Sequence, residues 1–218
     1  MPRLESKAKR SERAQEALRR LRQLRSDSST ALDWKTPYEL LTSVILSAQT
    51  TDVAVNKATP ALFSRCPTVH DLAQIPQEEL EQLISTIGLF RMKAKSLRKM
   101  ANQVVEEHAG IIPDNMQDLV KLGGVGRKTA NVVLGVAFGI PGLVVDTHVI
   151  RISNLLGLAA GKDAVKLEYA LNDLLPEEDW TPFGLHIILH GRATCIARRP
   201  QCHECILADI CPSAELND

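Results

Sequence analysis

The sequence predicts an all-α protein, and three observations carry that reading. Apolar residues recur at helical spacing along most of the chain. Helix-start signatures punctuate it, each a capping side chain followed by a proline or an acid in the first turn. The only strand-like string, Gly142-Leu143-Val144-Val145-Asp146, is too short to build a sheet.

The elements follow in order. Residues 11–25 form a basic amphipathic stretch with Leu18, Leu21 and Leu24 on one stripe. Thr36-Pro37-Tyr38-Glu39 starts an apolar helix that the polar string Gln49-Thr50-Thr51-Asp52 ends. Thr51 or Asp52 can cap the next helix, which runs to Arg65. Further starts fall at Thr68, at Pro76, at Arg91 for a long helix reaching His108, and at Asp114. A glycine-rich turn and a helix from Arg127 come next. The strings at 86–97 and 121–132 share one pattern, helix, glycine turn, basic helix, which reads as two helical hairpins.

A length of 218 allows one large or two small domains, and no Gly/Ser/Pro-rich linker divides them. Net charge is zero, but it is unevenly spread. Residues 1–25 hold nine cations (Arg3, Lys7, Lys9, Arg10, Arg13, Arg19, Arg20, Arg22, Arg25) against three glutamates, so +6 there leaves −6 elsewhere. A second basic cluster is Arg91, Lys93, Lys95, Arg98 and Lys99; a third is Arg192, Arg198 and Arg199. Each alone fits a solvated helix face; three together in an otherwise acidic chain suggest a polyanionic partner. No apolar run reaches membrane-spanning length. The charged N-terminus has no apolar signal core, which predicts a reducing, cytoplasmic setting.

Cys195, Cys202, Cys205 and Cys211 follow C-x6-C-x2-C-x5-C, and only Cys66 lies outside the motif. Four thiolates suit Zn²⁺ or an iron–sulfur cluster. Zinc sites usually show two C-x2-C knuckles. One knuckle with longer arms fits the wider [4Fe–4S] cube better, with zinc and two disulfides as the alternatives. A reducing compartment argues against the disulfides. Cys66 reads as an inert thiol.

Leu122-Gly123-Gly124-Val125-Gly126-Arg127-Lys128 sets three glycines ahead of a helix. Glycines expose successive backbone N–H groups, and the helix start adds its positive dipole end, so the turn can bind phosphate. The nucleotide P-loop spacing is not met, and no strand precedes the turn as a dinucleotide fold requires. An ordinary helix–helix turn is the alternative. Asp146 follows an apolar pair and can cap the helix after it. If the chain turns back at 139–142, Lys128 meets Asp146. A lysine in a partly dry pocket beside a carboxylate is a candidate amine nucleophile. His148, His186 and His190 read as structural, since no Glu stands where a His-x3-His metalloprotease site needs one.

Six strings together resemble endonuclease III, a bifunctional helix-hairpin-helix DNA glycosylase with a Gly-Pro-Asp-type loop. They are LSAQTTD at 46–52, IGLFRMKA at 87–94, GVGRKTANVVL at 124–134, VDTHVIR at 145–151, ILHGR at 188–192 and the cysteine loop. The similarity spans about residues 30–212 in unbroken order. It implies an all-α protein of two helical domains with a DNA cleft between them. A six-helix domain with the hairpin would take residues 30–140; an iron–sulfur domain would combine 1–29 with 141–218. The implied activity is excision of oxidised pyrimidines followed by strand nicking through a lysine Schiff base. Lys128 would be the nucleophile, Asp146 the catalytic carboxylate, and Ser47 and Asp52 their polar support. Gln49 would fill the gap left by the extruded base, and Leu89 would wedge into the stack. Residues 122–126 with Arg127 would bind the DNA backbone, and Cys195, Cys202, Cys205 and Cys211 would hold [4Fe–4S]. The implied partner is double-stranded DNA with damaged bases or abasic sites, bound by a monomer in the bacterial cytoplasm. One departure is expected to loosen the hairpin: Gly124 stands where the family's L-P-G-V-G commonly has Pro.

Other functions stay open at this level. An adenine-specific mismatch glycosylase shares hairpin and cysteines but lacks a lysine at position 128. A non-catalytic DNA-binding module leaves Lys128 and Asp146 to coincidence, and an electron carrier explains the cysteines alone.

Overall fold

The computed structural model describes residues 5–25 and 30–215. Arg3, one of the N-terminal cations, lies outside the described residues. Regular structure among the described residues is wholly helical.

Local chemistry places each start. α1 (Lys7–Leu24) begins ahead of the expected residue 11 because Ser6 Oγ accepts the Lys9 N–H. α2 (Pro37–Ser47) has Thr36 as cap and Pro37 in its first turn. Thr51, rather than Asp52, caps α3 (Asp52–Arg65). A full capping box between Thr68 and Asp71 starts α4 (Val69–Gln74), and α5 (Gln77–Leu83) follows Pro76. α6 (Phe90–His108) starts directly behind a left-handed Leu89. α7 (Met116–Leu119) is a single turn capped by Asn115, shorter than the sequence suggested and not started by Asp114. α8 (Arg127–Ala137), α9 (Thr147–Leu155), α10 (Ala164–Asn172) and α11 (Trp180–Ala193) complete the regular helices. The segment 142–146 is irregular, with Leu143, Val144 and Val145 buried, so its strand-like composition reflects burial and not pairing.

The chain divides into two compact units. The hairpin unit is Thr30–Ile140; the cysteine unit joins Met1–Ser29 to Pro141–Asp218. In the hairpin unit α6 packs on α4 and α5, and α2 packs on α3, α6 and α8. Leu40, Leu41, Leu46, Leu62, Leu80 and Leu97 are fully buried there. Each such side chain contributes about 1.5–3 kcal/mol by leaving water. In the cysteine unit α11 packs on α9 and α1, with Phe183, Leu18 and Ile187 closing its core.

The cations of α1 serve a structural purpose that the sequence did not show. Arg10 donates to Leu158 O (2.8 Å) and Arg13 to Leu156 O (3.0 Å), which places both guanidiniums at the C-terminal end of α9. Cations there satisfy orphan carbonyls and complement the helix dipole. Arg20 holds Ile206 O (2.8 Å), Asp209 and Glu16, and Arg22 holds Asp179 (2.7 Å). Much of the N-terminal charge is therefore neutralised inside its own unit. The second basic cluster is also broken up: Lys93 is buried and Arg98 half-buried, while Arg91, Lys95 and Lys99 face solvent.

Candidate active site and cysteine cavity

The glycine-rich turn connects α7 to α8. Leu122 and Val125 are buried anchors, and the Val125 N–H donates to Leu122 O (3.1 Å). Gln103 of α6 grips the turn twice: its Oε1 accepts the Gly123 N–H (2.9 Å), and its Nε2 donates to Lys121 O (3.1 Å). A Cβ at Gly123 would meet Ser96 O at 2.7 Å and Met100 N at 2.9 Å, so only glycine lets the turn sit this close to α6. Gly124 has φ +78°, a left-handed conformation. Proline is locked near −65°, so Gly124 cannot be the position a family proline would occupy. In register, L-P-G-V-G on Leu122–Gly126 sets its proline at Gly123. Gln103 holds the turn through the Gly123 N–H, a donor that proline would lack. Gly126 caps α8 in extended backbone, and nothing lies within 4 Å of where its Cβ would be. Neither conformation nor packing inside the protein demands glycine there, which leaves room for an outside backbone to approach.

Arg127 and Lys128 open α8. Arg127 is half-buried and Lys128 exposed. Burial by the protein does not supply the partly dry pocket expected around Lys128.

Gln49 and Leu89 sit on two neighbouring turns of the same unit. A Cβ at Gly88 would lie 3.9 Å from Gln49 O and from Thr50 Oγ1. Among the described residues three non-glycine residues have positive φ: Gln49 (54°), Leu89 (60°) and Ala109 (53°). Ala109 is the C-cap of α6. The other two are the proposed plug and wedge, both exposed, and each such backbone costs about 1–3 kcal/mol. Ser47 Oγ donates to Val44 O (2.9 Å) within its own helix. Asp52 is half-buried in the first turn of α3.

Asp146 belongs to the cysteine unit. Its Oδ1 accepts the N–H groups of His148 (2.8 Å) and Val149 (3.0 Å), capping α9. Among the described residues no donor reaches Oδ2. The segment leading to it lies on α11. Thr181 Oγ1 bonds both the N–H (3.1 Å) and the carbonyl (3.0 Å) of Gly142. A Cβ at Gly184 would meet the Val144 backbone at 3.0 Å, and one at Gly191 would meet the His148 ring at 2.8 Å. Two helical glycines thus admit the backbone that aims Asp146.

The four motif cysteines line one cavity of about 310 Å³, together with Arg151, Ile152, His190 and Leu207. Arg151 Nη1 donates to Cys195 Sγ (3.4 Å), the Leu207 N–H donates to Cys205 Sγ (3.4 Å), and His190 Nε2 lies 3.6 Å from Cys205 Sγ. Burial pushes the Cys205 and Cys211 thiols up, and the neighbouring cysteines add to the effect. Burial, then the Arg151 charge, lowers the His190 pKa. Four half-buried sulfurs around one hollow form a donor set that becomes stable as thiolates only around a cationic centre. Four cysteine sulfurs lining one hollow are a donor set that fits an iron–sulfur cluster. Cys66 is buried apart in the hairpin unit, its carbonyl accepting from Tyr38 Oη (3.0 Å).

Sequence reasoning missed Lys93, Gln103, Arg151 and His190. Lys93 Nζ donates to Leu46 O (2.8 Å) and Thr50 Oγ1 (2.7 Å), and burial pulls its pKa below the usual lysine range. From the sequence His190 reads as a structural histidine, and the ILHGR string sets it close before Cys195.

The glycine hairpin, the carboxylate capping α9 and the cysteine cavity match a known class. Residues 42–177 fit the family model of the HhH-GPD superfamily of base excision DNA repair proteins. Residues 195–211, from the first motif cysteine to the last, fit the iron–sulfur binding domain of endonuclease III. The chain belongs to the endonuclease III family. It is 49% identical to the endonuclease III of Synechocystis sp. over 97% of each chain, and 43% identical to that of Escherichia coli K12 over 93% of this chain and 96% of the other. Among solved structures it superposes on a trapped endonuclease III–DNA covalent intermediate with a TM-score of 0.88 at 40% identity, covering 94% of this chain and 96% of that one. A thermostable thymine-DNA glycosylase matches with a TM-score of 0.83 at 25% identity, over the same shares. The protein is a DNA glycosylase and abasic-site lyase of base excision repair, carrying a [4Fe–4S] cluster.

Proposed function

We propose that the chain excises oxidised pyrimidines from duplex DNA and nicks the strand through a lysine Schiff base. The observation that carries this reading is Lys128, exposed in the first turn of α8 immediately behind the glycine hairpin. The trapped covalent intermediate formed by the related endonuclease III supports it.

The chemistry follows from the residues. A base inside a duplex is unreachable, so it is extruded at a cost of a few kcal/mol. Leu89 enters the stack and Gln49 pairs with the orphaned base, which offsets that cost. The N–H groups around Gly124–Arg127 hold a phosphate, and the open space at Gly126 lets the DNA backbone come close. Cleavage of the N-glycosidic bond builds positive charge on the sugar. Asp146 stabilises it with the Oδ2 that its capping role leaves over. The neutral Lys128 amine bonds to C1′ as the base departs with the electron pair of the broken bond. The aminal so formed loses a proton from nitrogen, and its C1′–O4′ bond breaks with the electron pair and a proton going to O4′, which opens the sugar to the imine. That imine acidifies the C2′ proton, and loss of this proton expels the 3′ phosphate by β-elimination. Since Lys128 is exposed in the protein, DNA itself must exclude water from it. Ser47 and Asp52 lie near the Gln49 turn as polar support. Cys195, Cys202, Cys205 and Cys211 ligate the cluster, which when bound cross-links the C-terminal loop and so supplies structural order. The protein acts as a monomer in the cytoplasm, on DNA bearing damaged bases or abasic sites.

Borohydride trapping on a duplex containing an oxidised pyrimidine tests the proposal. Lys128→Gln is expected to abolish the trapped adduct while lesion binding stays near the parent level. Persistent trapping would move the nucleophile to another amine.

A further inference from the structure

Lys93 is buried in α6, one turn after Leu89, and among the described residues no carboxylate pairs with it. A lone buried ammonium is costly to keep and is retained only where its donors are needed. Both of its side-chain hydrogen bonds go to one place, the end of α2: Leu46 O at 2.8 Å and Thr50 Oγ1 at 2.7 Å. Its backbone N–H takes Leu89 O at 3.1 Å. One residue therefore ties the turn carrying Gln49 to the helix start carrying Leu89. Those two turns hold the left-handed Gln49 and Leu89, backbones that persist only if their surroundings over-determine them.

We propose that Lys93 is a positioning residue, locking the Gln49 turn onto the Leu89 turn so that plug and wedge enter the duplex in fixed register. This rests on the reading of Gln49 and Leu89 given above. An apolar residue at 93 would fill the same space more cheaply but would remove the donor that Leu46 O and Thr50 Oγ1 share, leaving the Thr50 hydroxyl only its bond to Ala48 O (3.5 Å). Thr50 is then the chain's own acceptor for this lock.

The test compares Lys93→Met, Thr50→Val and Thr50→Ser with Gln49→Ala and Leu89→Ala, all as the cluster-loaded protein. Hydrogen exchange in the free protein should rise at 47–52 and 86–90 in Lys93→Met and Thr50→Val but not in Thr50→Ser. Unchanged exchange would overturn the lock without reference to DNA. On a duplex bearing a tetrahydrofuran abasic analogue opposite 2-aminopurine, binding should brighten the fluorophore as it leaves the stack. Lys93→Met should lose most of that signal, and single-turnover excision should fall roughly ten- to a hundred-fold, the scale of a misplaced positioning group. Affinity for undamaged duplex should not change. Full signal in Lys93→Met beside lost signal in Gln49→Ala and Leu89→Ala would overturn the positioning role alone. Full signal in all of them would remove the roles of Gln49 and Leu89 and the positioning role with them. If Lys93→Met does not fold, the contrast of Thr50→Val with Thr50→Ser decides: equal behaviour of the two overturns the proposal.

Discussion

At the scale of the residue, the proposed mechanism gives Asp146 a second task beside the helix cap that the structure shows. Its Oδ1 is committed to the N–H groups of His148 and Val149, which fixes the direction of the carboxylate. The second oxygen is free of that duty and can face a developing charge. Asparagine caps helices about as well as aspartate, so Asp146→Asn separates the two tasks. Base excision should fall by about two to three orders of magnitude, the scale of losing a positioned electrostatic group, with the thermal midpoint unchanged. Single-turnover excision and thermal melting on the same preparation would show it. Activity within a few fold of the parent would leave Asp146 as a cap only.

Among the elements, the hairpin and α1 each depend on a partner outside themselves. The hairpin is held to α6 by Gln103, which satisfies the Gly123 N–H and Lys121 O. Gln103→Ala leaves both groups without that partner and should cost about 1–3 kcal/mol. Affinity for undamaged duplex should weaken while its salt dependence keeps its slope, because backbone N–H groups release no counterions. Thermal melting and titrations at several salt concentrations measure the two effects. For α1 the lever is pH. Hydrogen bonds from Arg19 and Arg20 hold the Glu16 carboxyl down from its ordinary 4.5 to about 2. Arg20 likewise lowers Asp209. A carboxylate whose folded pKa is depressed stabilises the fold above the unfolded pKa and loses that stabilisation as pH falls through the folded one. The window here runs from about pH 4.5 down to about pH 2. Arg20→Met should therefore lower the thermal midpoint at pH 7, and the gap from the parent should close across that window. A constant gap down to pH 2 would mean that Arg20 acts only through its bond to Ile206 O.

For the molecule as a whole, the cysteine cavity lies in the unit that also carries Asp146. Arg151 and Leu207 bond to Cys195 and Cys205, so the sulfurs are oriented as well as gathered. Purified protein should be yellow-brown with about four irons per chain. Cys205→Ser should lose iron and the order of the C-terminal loop, whereas Cys66→Ser should keep full iron content. Iron analysis and visible absorbance distinguish the two, and one zinc per chain in colourless protein would overturn the assignment. Four α1 arginines bond within their own unit, to Leu156, Leu158, Ile206 and Asp179, whereas Arg91, Lys95 and Lys99 are exposed.

What the sequence determined by itself is what local chemistry encodes. Helix starts at Thr36, Thr51 and Thr68, the glycine hairpin before Lys128, the capping Asp146 and the cysteine spacing were all legible. Each depends on residues a few positions apart, whose side chains act on their own backbone. The family resemblance was legible for the same reason, since it rests on short strings in order. What only tertiary structure decided is where charge and glycine are used. Lys93 read as part of a basic patch but is buried against a carbonyl 47 residues away. The guanidinium of Arg20 meets a carbonyl 186 residues away. Gly123 is required by the approach of α6, and Gly124 by its own left-handed backbone. A cation on a helix has the same local pattern whether it faces water, a phosphate or a distant carbonyl. The packing of α6 on α2 and of α1 on α11 settles which it meets, because burial and long-range hydrogen bonds exist only once the chain has folded.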